Sequence, residues 1–278
     1  MKLFNSIITL SLLLLFITSL SAQDTYKLEY KFEKGRTYRY QDVAKTDMTQ
    51  EMMGKEMKIK SEINTVIRLL VEEVTKNGNE VLLISADSMK VFSSTPMGDT
   101  TMVLSDLIGK RTRVILSKLG NVENREIVDS VKITGRAAGA AQRESIQFPK
   151  LSDKVVKIGD TWTATTEDTV NQMGGKIAVT GNYEYTLLGQ GKKDDRDCLR
   201  ITFTGKTTTE GKATMQGMEF FIDGSGKTNG TIYFDPKAGL VVYEETNSDS
   251  ETNMALTGEQ QMIIPITQVT KSTRTLIK

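Results

Sequence analysis

Few side chains in this chain could do chemistry, and their types narrow the options. There is no histidine among the 278 residues and a single cysteine, Cys198. Without histidine there is no Ser-His or Cys-His nucleophile pair, no imidazole acid–base catalyst and little to hold zinc. Cys198 stands next to Leu199 in an alternating segment, as a small buried hydrophobe would. Asp194, Asp195 and Asp197 crowd one turn, and carboxylates are calcium ligands. The turn lacks the glycine and the distal glutamate of a calcium loop, and Lys192, Lys193 and Arg196 offset its charge. A solvated hairpin tip is expected there. Gly211, Gly217, Gly224, Gly226 and Gly230 are followed by no lysine–serine/threonine pair opening a helix, so they form no phosphate loop. The expectation is a protein that is not an enzyme and that uses no metal or cofactor.

Methionine is the more telling excess. Met48, Met52, Met53 and Met57 fall within ten residues, Met173 stands at the matching point of a similar later stretch, and Met215 and Met218 follow. Three readings are open: a thioether site for copper(I), an adaptable apolar lip for a ligand or partner, and filler where two sheets meet. Tyr183 and Tyr185 belong to the face that alternation turns inward, where their hydroxyls need partners. They either line a cavity or fill the core. Met48, Met52, Met53, Met57, Met173, Tyr183 and Tyr185 are therefore the candidate ligand-binding residues.

The elements that must position them are strands. Tyr26, Leu28, Tyr30 and Phe32 alternate with Lys27, Glu29 and Lys31, the period of a half-buried strand. Lys58 to Val74 begins as clean alternation and turns apolar on both faces near Val66 to Val71, which predicts cover from two sides or a bulge. Asn77-Gly78 marks a hairpin turn that needs positive φ. Pro265 belongs at a strand start or an edge, because proline cannot donate to a ladder. Asp129 to Phe148 is rich in Ala and Gly and reads as one helix leading into a linker.

The strand pattern reads as though written twice. Met53-Gly54 and Met173-Gly174 open hairpins 120 positions apart, and Met57, Ile59, Ser61 and Ile63 keep step with Ile177, Val179, Gly181 and Tyr183. The fold class expected is mainly β: two similar curved antiparallel sheets from an internal duplication, with the Ala/Gly helix near their junction. The expected organisation is a leader at 1–22, a first β unit at 23–128, helix and linker at 129–153, and a second β unit at 154–278.

Residues 1–22 have the layout of a secretory signal peptide: Lys2, an apolar run from Ile7 to Leu20, then Ser21 and Ala22. No cysteine near its end could carry a lipid anchor, and no later segment is apolar enough to span a membrane. An exported protein, periplasmic or extracellular, is expected. Lys2 is the one charged residue of that leader. Without it, the 35 acidic side chains face an equal number of basic ones. Such balance excludes nucleic acid as a partner class and gives no general pull toward anionic membranes. An apolar ligand, a lipid or an envelope protein is the partner expected, with a purely structural role as the alternative.

Lys34-Gly35-Arg36-Thr37-Tyr38, Phe148-Pro149 through Val155 to Trp162, and Phe234-Asp235-Pro236-Lys237-Ala238-Gly239-Leu240 form a frame that resembles a domain-of-unknown-function family of exported, β-rich Bacteroidota proteins. The resemblance implies no activity. At fold level the long strands are distantly similar to the half-barrels of bacterial lipoprotein carriers, which implies a curved sheet and nothing about function. Asp87-Ser88-Met89, Asp99-Thr100-Thr101, Asp129-Ser130-Val131 and Asp168-Thr169-Val170 resemble the O-glycan acceptor pattern of exported Bacteroidota proteins.

Overall fold

Alternation of apolar and polar residues over 16 to 20 positions makes strands too long to be covered by a small partner, and they bury one face by curling together. The computed structural model describes residues 24–52, 54–130, 147–172, 175–215, 218–256 and 262–277. The strands are β1 (Thr25–Tyr26), β2 (Thr37–Met52), β3 (Lys55–Val74), β4 (Glu80–Thr95), β5 (Gly98–Val103), β6 (Thr112–Leu116), β7 (Val122–Ile127), β8 (Val156–Lys157), β9 (Thr161–Gln172), β10 (Gly175–Lys193), β11 (Arg196–Met215), β12 (Met218–Asp235), β13 (Leu240–Leu256) and β14 (Met262–Ile277). One antiparallel sheet of 12 strands runs in the order β7-β6-β4-β3-β2-β14-β13-β12-β11-β10-β9, with β5 beside β4. β1 and β8 form a separate two-stranded ribbon.

The expected pair of sheets is therefore one sheet. Its two halves are joined by β14, which pairs with β13 on one side and with β2 on the other. The duplicated architecture is not supported either. At the 120-residue offset β6 and β7 would match β12 and β13, yet β6 and β7 span 5 and 6 residues and β12 and β13 span 18 and 17. The first stretch also has nothing to match β14. The helix expected over 129–148 falls mostly on 131–146, outside the described residues. Among the described residues the helical content is one 3-10 turn, Ser105–Leu107.

Local turn chemistry is where the sequence reads most directly. Gly78 takes φ 79° between β3 and β4. β3 carries register shifts at Val66/Ile67 and Val71/Glu73, so the doubly apolar run is bulged. The described pairing of Pro265 is with Asn253 of β13, and β2 joins β14 from Ile266 onward. The proline thus sits where the ladder has one described neighbour.

The main core closes one end of the curled sheet. Leu28, Tyr30 and Phe32 are buried, while Lys27 and Lys31 are exposed. The alternation expected there is real, but the segment after Tyr26 is not a strand. It crosses the base of the sheet as extended chain, with the Tyr30 amide donating to the Lys118 carbonyl and the Lys31 amide to that of Gly239. Phe148, Leu151 and Val156 fill the same base. The Tyr30 ring lies edge-on to Phe148 and Phe234, with centroids 5.9 Å apart in each pair, and its hydroxyl donates to the Pro149 carbonyl. Each such ring buried contributes about 1.5–3 kcal/mol.

Gly120, in the β6–β7 turn, is the tightest point of this base. It takes φ 85°, and a Cβ there would lie 2.5 Å from the Pro149 oxygen and 3.0 Å from the Tyr30 ring. Gly120→Ala combines a left-handed strain with a backbone clash, each worth about 1 kcal/mol or more. Urea melts should show a loss of about 2 kcal/mol, and an unchanged midpoint would contradict this packing.

Candidate binding site

Strand register fixes which side chains share the concave face. From β2 across β14, β13, β12 and β11 to β10, one row reads Asp42, Arg274, Glu244, Ile232, Ile201 and Leu187. Two residues up the strands the row is Ala44, Ser272, Thr246, Gly230, Phe203 and Tyr185. The next is Thr46, Thr270, Ser248, Thr228, Gly205 and Tyr183. Above it stand Met48, Gln268, Ser250, Gly226, Thr207 and Gly181. Higher still the face turns apolar again, with Ile177, Ile222, Met254 and Ile264 buried together.

The face is thus apolar at its upper end and half charged, half apolar at its base, with a middle band built from serine, threonine and glycine. Short side chains leave that band unfilled. A cavity of about 460 Å³ lies over it, bordered by Ile63, Phe148, Tyr183, Tyr185, Phe203 and Arg274 among others. Glycine also decides how the rings lie. Tyr183 pairs across the strands with Gly205 and Phe203 with Gly230. A Cβ on Gly205 would come within 2.5 Å of the Tyr183 ring, and one on Gly230 within 2.6 Å of Phe203. Both rings therefore fold down onto bare backbone and wall the cavity instead of crossing it.

The hydroxyl band is internally satisfied. Gln268 donates to Thr270 Oγ1 at 3.0 Å, and the Thr270 and Thr46 hydroxyls are 3.0 Å apart. Ser248 donates to Thr228 Oγ1 at 2.9 Å, and Thr228 donates to the Asn247 carbonyl. Each hydroxyl keeps acceptor capacity for a guest.

One charged row lies at the cavity base. Arg274 turns its fork to Asp42, with Nε and Nη2 donating to the carboxylate at 2.7–3.2 Å. Its Nη1 donates to the Gln147 carbonyl at 2.7 Å, which pins the incoming chain to the sheet. Burial works against the guanidinium charge, but Asp42 and Glu244 more than offset it and hold Arg274 protonated. Glu244 is the cross-strand neighbour of Arg274 on the other side, yet no ion pair within 4 Å reaches it among the described residues. Burial pushes its carboxyl above the usual range, against the pull of Arg274 and a hydrogen bond from Thr246.

The residues expected from sequence divide. Tyr183 and Tyr185 both border the cavity. Tyr185 is 5% exposed, stacks on Trp162 at 5.4 Å and accepts a hydrogen bond from the Lys150 amide. Burial raises the hydroxyl pKa of both tyrosines. Met48 and Met57 are half-buried on the concave face and do not border the cavity, although Met48 shares a row with Gln268 and Ser250, which do. Met52 ends β2, and nothing is described of its side chain. Met53 and Met173 lie outside the described residues. Cys198 is 2% exposed, and burial pushes its thiol up to about 11, the state of an inert sulfur. Asp194 and Asp195 form the exposed β10–β11 turn, at φ 48° and 62°. The sequence reading missed Asp42, Arg274, Glu244 and the hydroxyl band. A usable signal was present in Gly205-Lys206-Thr207-Thr208-Thr209-Glu210-Gly211 and in Gly224, Gly226, Thr228 and Gly230, where small residues recur at every second position.

A model described as "Family of unknown function (DUF6263)" matches residues 145–241. That stretch contains two of the three motifs of the frame, Phe148 to Trp162 and Phe234 to Leu240. No curated protein matches the chain. Among solved structures, lipovitellin, in a structure titled for its lipid–protein interactions, is 11% identical with a TM-score of 0.46, over 89% of this chain. The chain spans 26% of the lipovitellin chain. An outer membrane channel of Pseudomonas putida F1 gives 11% identity and a TM-score of 0.27, over 90% of this chain and 98% of that one. Pseudomonas aeruginosa OccK2 gives 6% and 0.26, over 89% and 100%. At these scores none of the three fixes the fold, and the chain is best described as similar over residues 145–241 to a family without a known function.

Proposed function

We propose that this protein binds a small amphipathic ligand in the concave cavity and is an exported, non-catalytic binding protein. The cavity itself carries the reading. A volume of about 460 Å³ falls within the range of small-molecule sites, and a sheet with a purely structural role would close its concave face with larger side chains. The lining supports a guest of mixed character. Ile63, Ile232, Phe203 and Tyr183 offer apolar surface, while Thr46, Ser248, Thr228 and Thr270 offer hydroxyls. The leader-like residues 1–22 support export to the periplasm or beyond.

The outer face argues for water on that side. Glu184, Lys206, Lys227, Asp249, Glu251 and Lys271 project from the convex face at mid-height and are exposed. A barrel crossing a bilayer carries an apolar band there. Among the described residues no helix is long and apolar enough to span a membrane.

Native mass spectrometry of the protein isolated from its own source tests the reading. Added mass from a non-covalent guest is expected. Ser250→Phe, on the cavity floor opposite Gly226, should abolish it while leaving the circular dichroism spectrum unchanged. Bare protein that also binds no amphiphile in calorimetry would refute the proposal.

A further inference from the structure

We propose that the polar end of the ligand is a cationic amine, seated on Glu244 between the Arg274 row and the tyrosine wall. This rests on the binding reading above and names the chemistry of that site. Three charged side chains project onto the cavity base, Asp42, Arg274 and Glu244. Arg274 is consumed by Asp42 through three contacts and by the Gln147 carbonyl through a fourth. One carboxylate is left in excess. Lys227 and Asp249 also border the cavity, but their side chains belong to the convex face, where they are cross-strand neighbours of opposite charge.

Glu244 lines the same cavity as Tyr183, Tyr185 and Phe203, and its cross-strand neighbour Arg274 is already neutralised by Asp42. An ammonium would gain a charge-assisted hydrogen bond to Glu244 and the faces of the nearby rings. A carboxylate or sulfate would meet Glu244, with the neighbouring Arg274 already taken up by Asp42 and the Gln147 carbonyl. Fatty acids and other anionic amphiphiles are the class that the site rejects.

Isothermal titration of the protein at pH 7 with octylammonium, 1-octanol and octyl sulfate, all below micelle formation, tests the assignment. Octylammonium should bind about tenfold or more tightly than octyl sulfate. Glu244→Gln should erase that preference, and Glu244→Asp, which keeps the charge, should retain it. Thermal melts of both variants show whether they fold. Equal affinity for the three probes, or a preference that survives in E244Q, overturns the cationic assignment and leaves the binding site standing. Failure of all three probes to bind wild-type protein sinks both.

Discussion

Arg274→Met should cost about 3–4 kcal/mol of stability at pH 7, more than any other single change on the concave face. The side chain is partly buried, with 19% exposed against 23% for Asp42. It ties β14 to β2, and its fourth hydrogen bond holds residue 147 and the chain that follows onto the base. Removing it leaves Asp42 and Glu244 facing each other across β14, with no cation between them. The loss of one partner of a buried, hydrogen-bonded charge pair costs about 2–5 kcal/mol, much of it from the charge left behind. In the variant Glu244, whose carboxyl burial already raises, loses the opposing pull of Arg274. A raised carboxyl binds its proton more tightly folded than unfolded, so the deficit should be larger at pH 7 than near the unfolded value of 4.5. Arg274→Met combined with Asp42→Leu should recover part of the loss, since replacing a whole pair by apolar groups is often neutral. Urea denaturation at pH 4.5 and 7 of the single and double variants measures all of this. An R274M protein as stable as wild type at pH 7 would mean that the row does not hold the two halves together.

That row also shows where sequence reading stops. Asp42 and Arg274 stand 232 positions apart, and nothing local to either announces the other. The hairpin turn at Gly78 was legible because turn chemistry sits within four residues. The pairing of β14 with β2 was not, and it is this pairing that turns two expected sheets into one. The inward face of β10 was legible from period two alone, which is why Tyr183 and Tyr185 were placed on the right side. The methionines drew attention as an excess, but Met48 and Met57 do not border the cavity. What shapes the cavity is the opposite of an excess: glycine and short hydroxyl side chains at every second position, which alternation marks only as weak strand.

Glu80 should make the protein lose stability as pH rises through neutrality. It opens β4, is 2% exposed, and pairs in register with Val74 and Leu116. Its Oε2 has no hydrogen-bond partner among the described residues. Burial raises its pKa to about 7, against the backbone amides of Glu80 and Phe32 and the attraction of Lys118, with Glu29 adding a little repulsion. An acid with a raised folded-state pKa binds more protons folded than unfolded between the two values. Its favourable contribution is therefore present below about pH 4.5 and is lost as pH climbs through about 7. Each tenfold difference in proton affinity between the folded and unfolded chain is worth roughly 1.4 kcal/mol, so the loss attributable to Glu80 amounts to about 3 kcal/mol. Glu80→Gln replaces the charge by a neutral group of the same shape, so the part of the pH dependence that Glu80 causes should vanish and the variant should exceed wild type in stability at pH 8. Glu244, raised in the same direction, adds a second contribution of the same sign, which E80Q leaves in place and E80Q/E244Q removes. Guanidinium melts at pH 5, 6.5 and 8 separate the two. Parallel pH profiles for wild type and E80Q would show that Glu80 is ionised at no cost, and that its buried oxygen has found a partner.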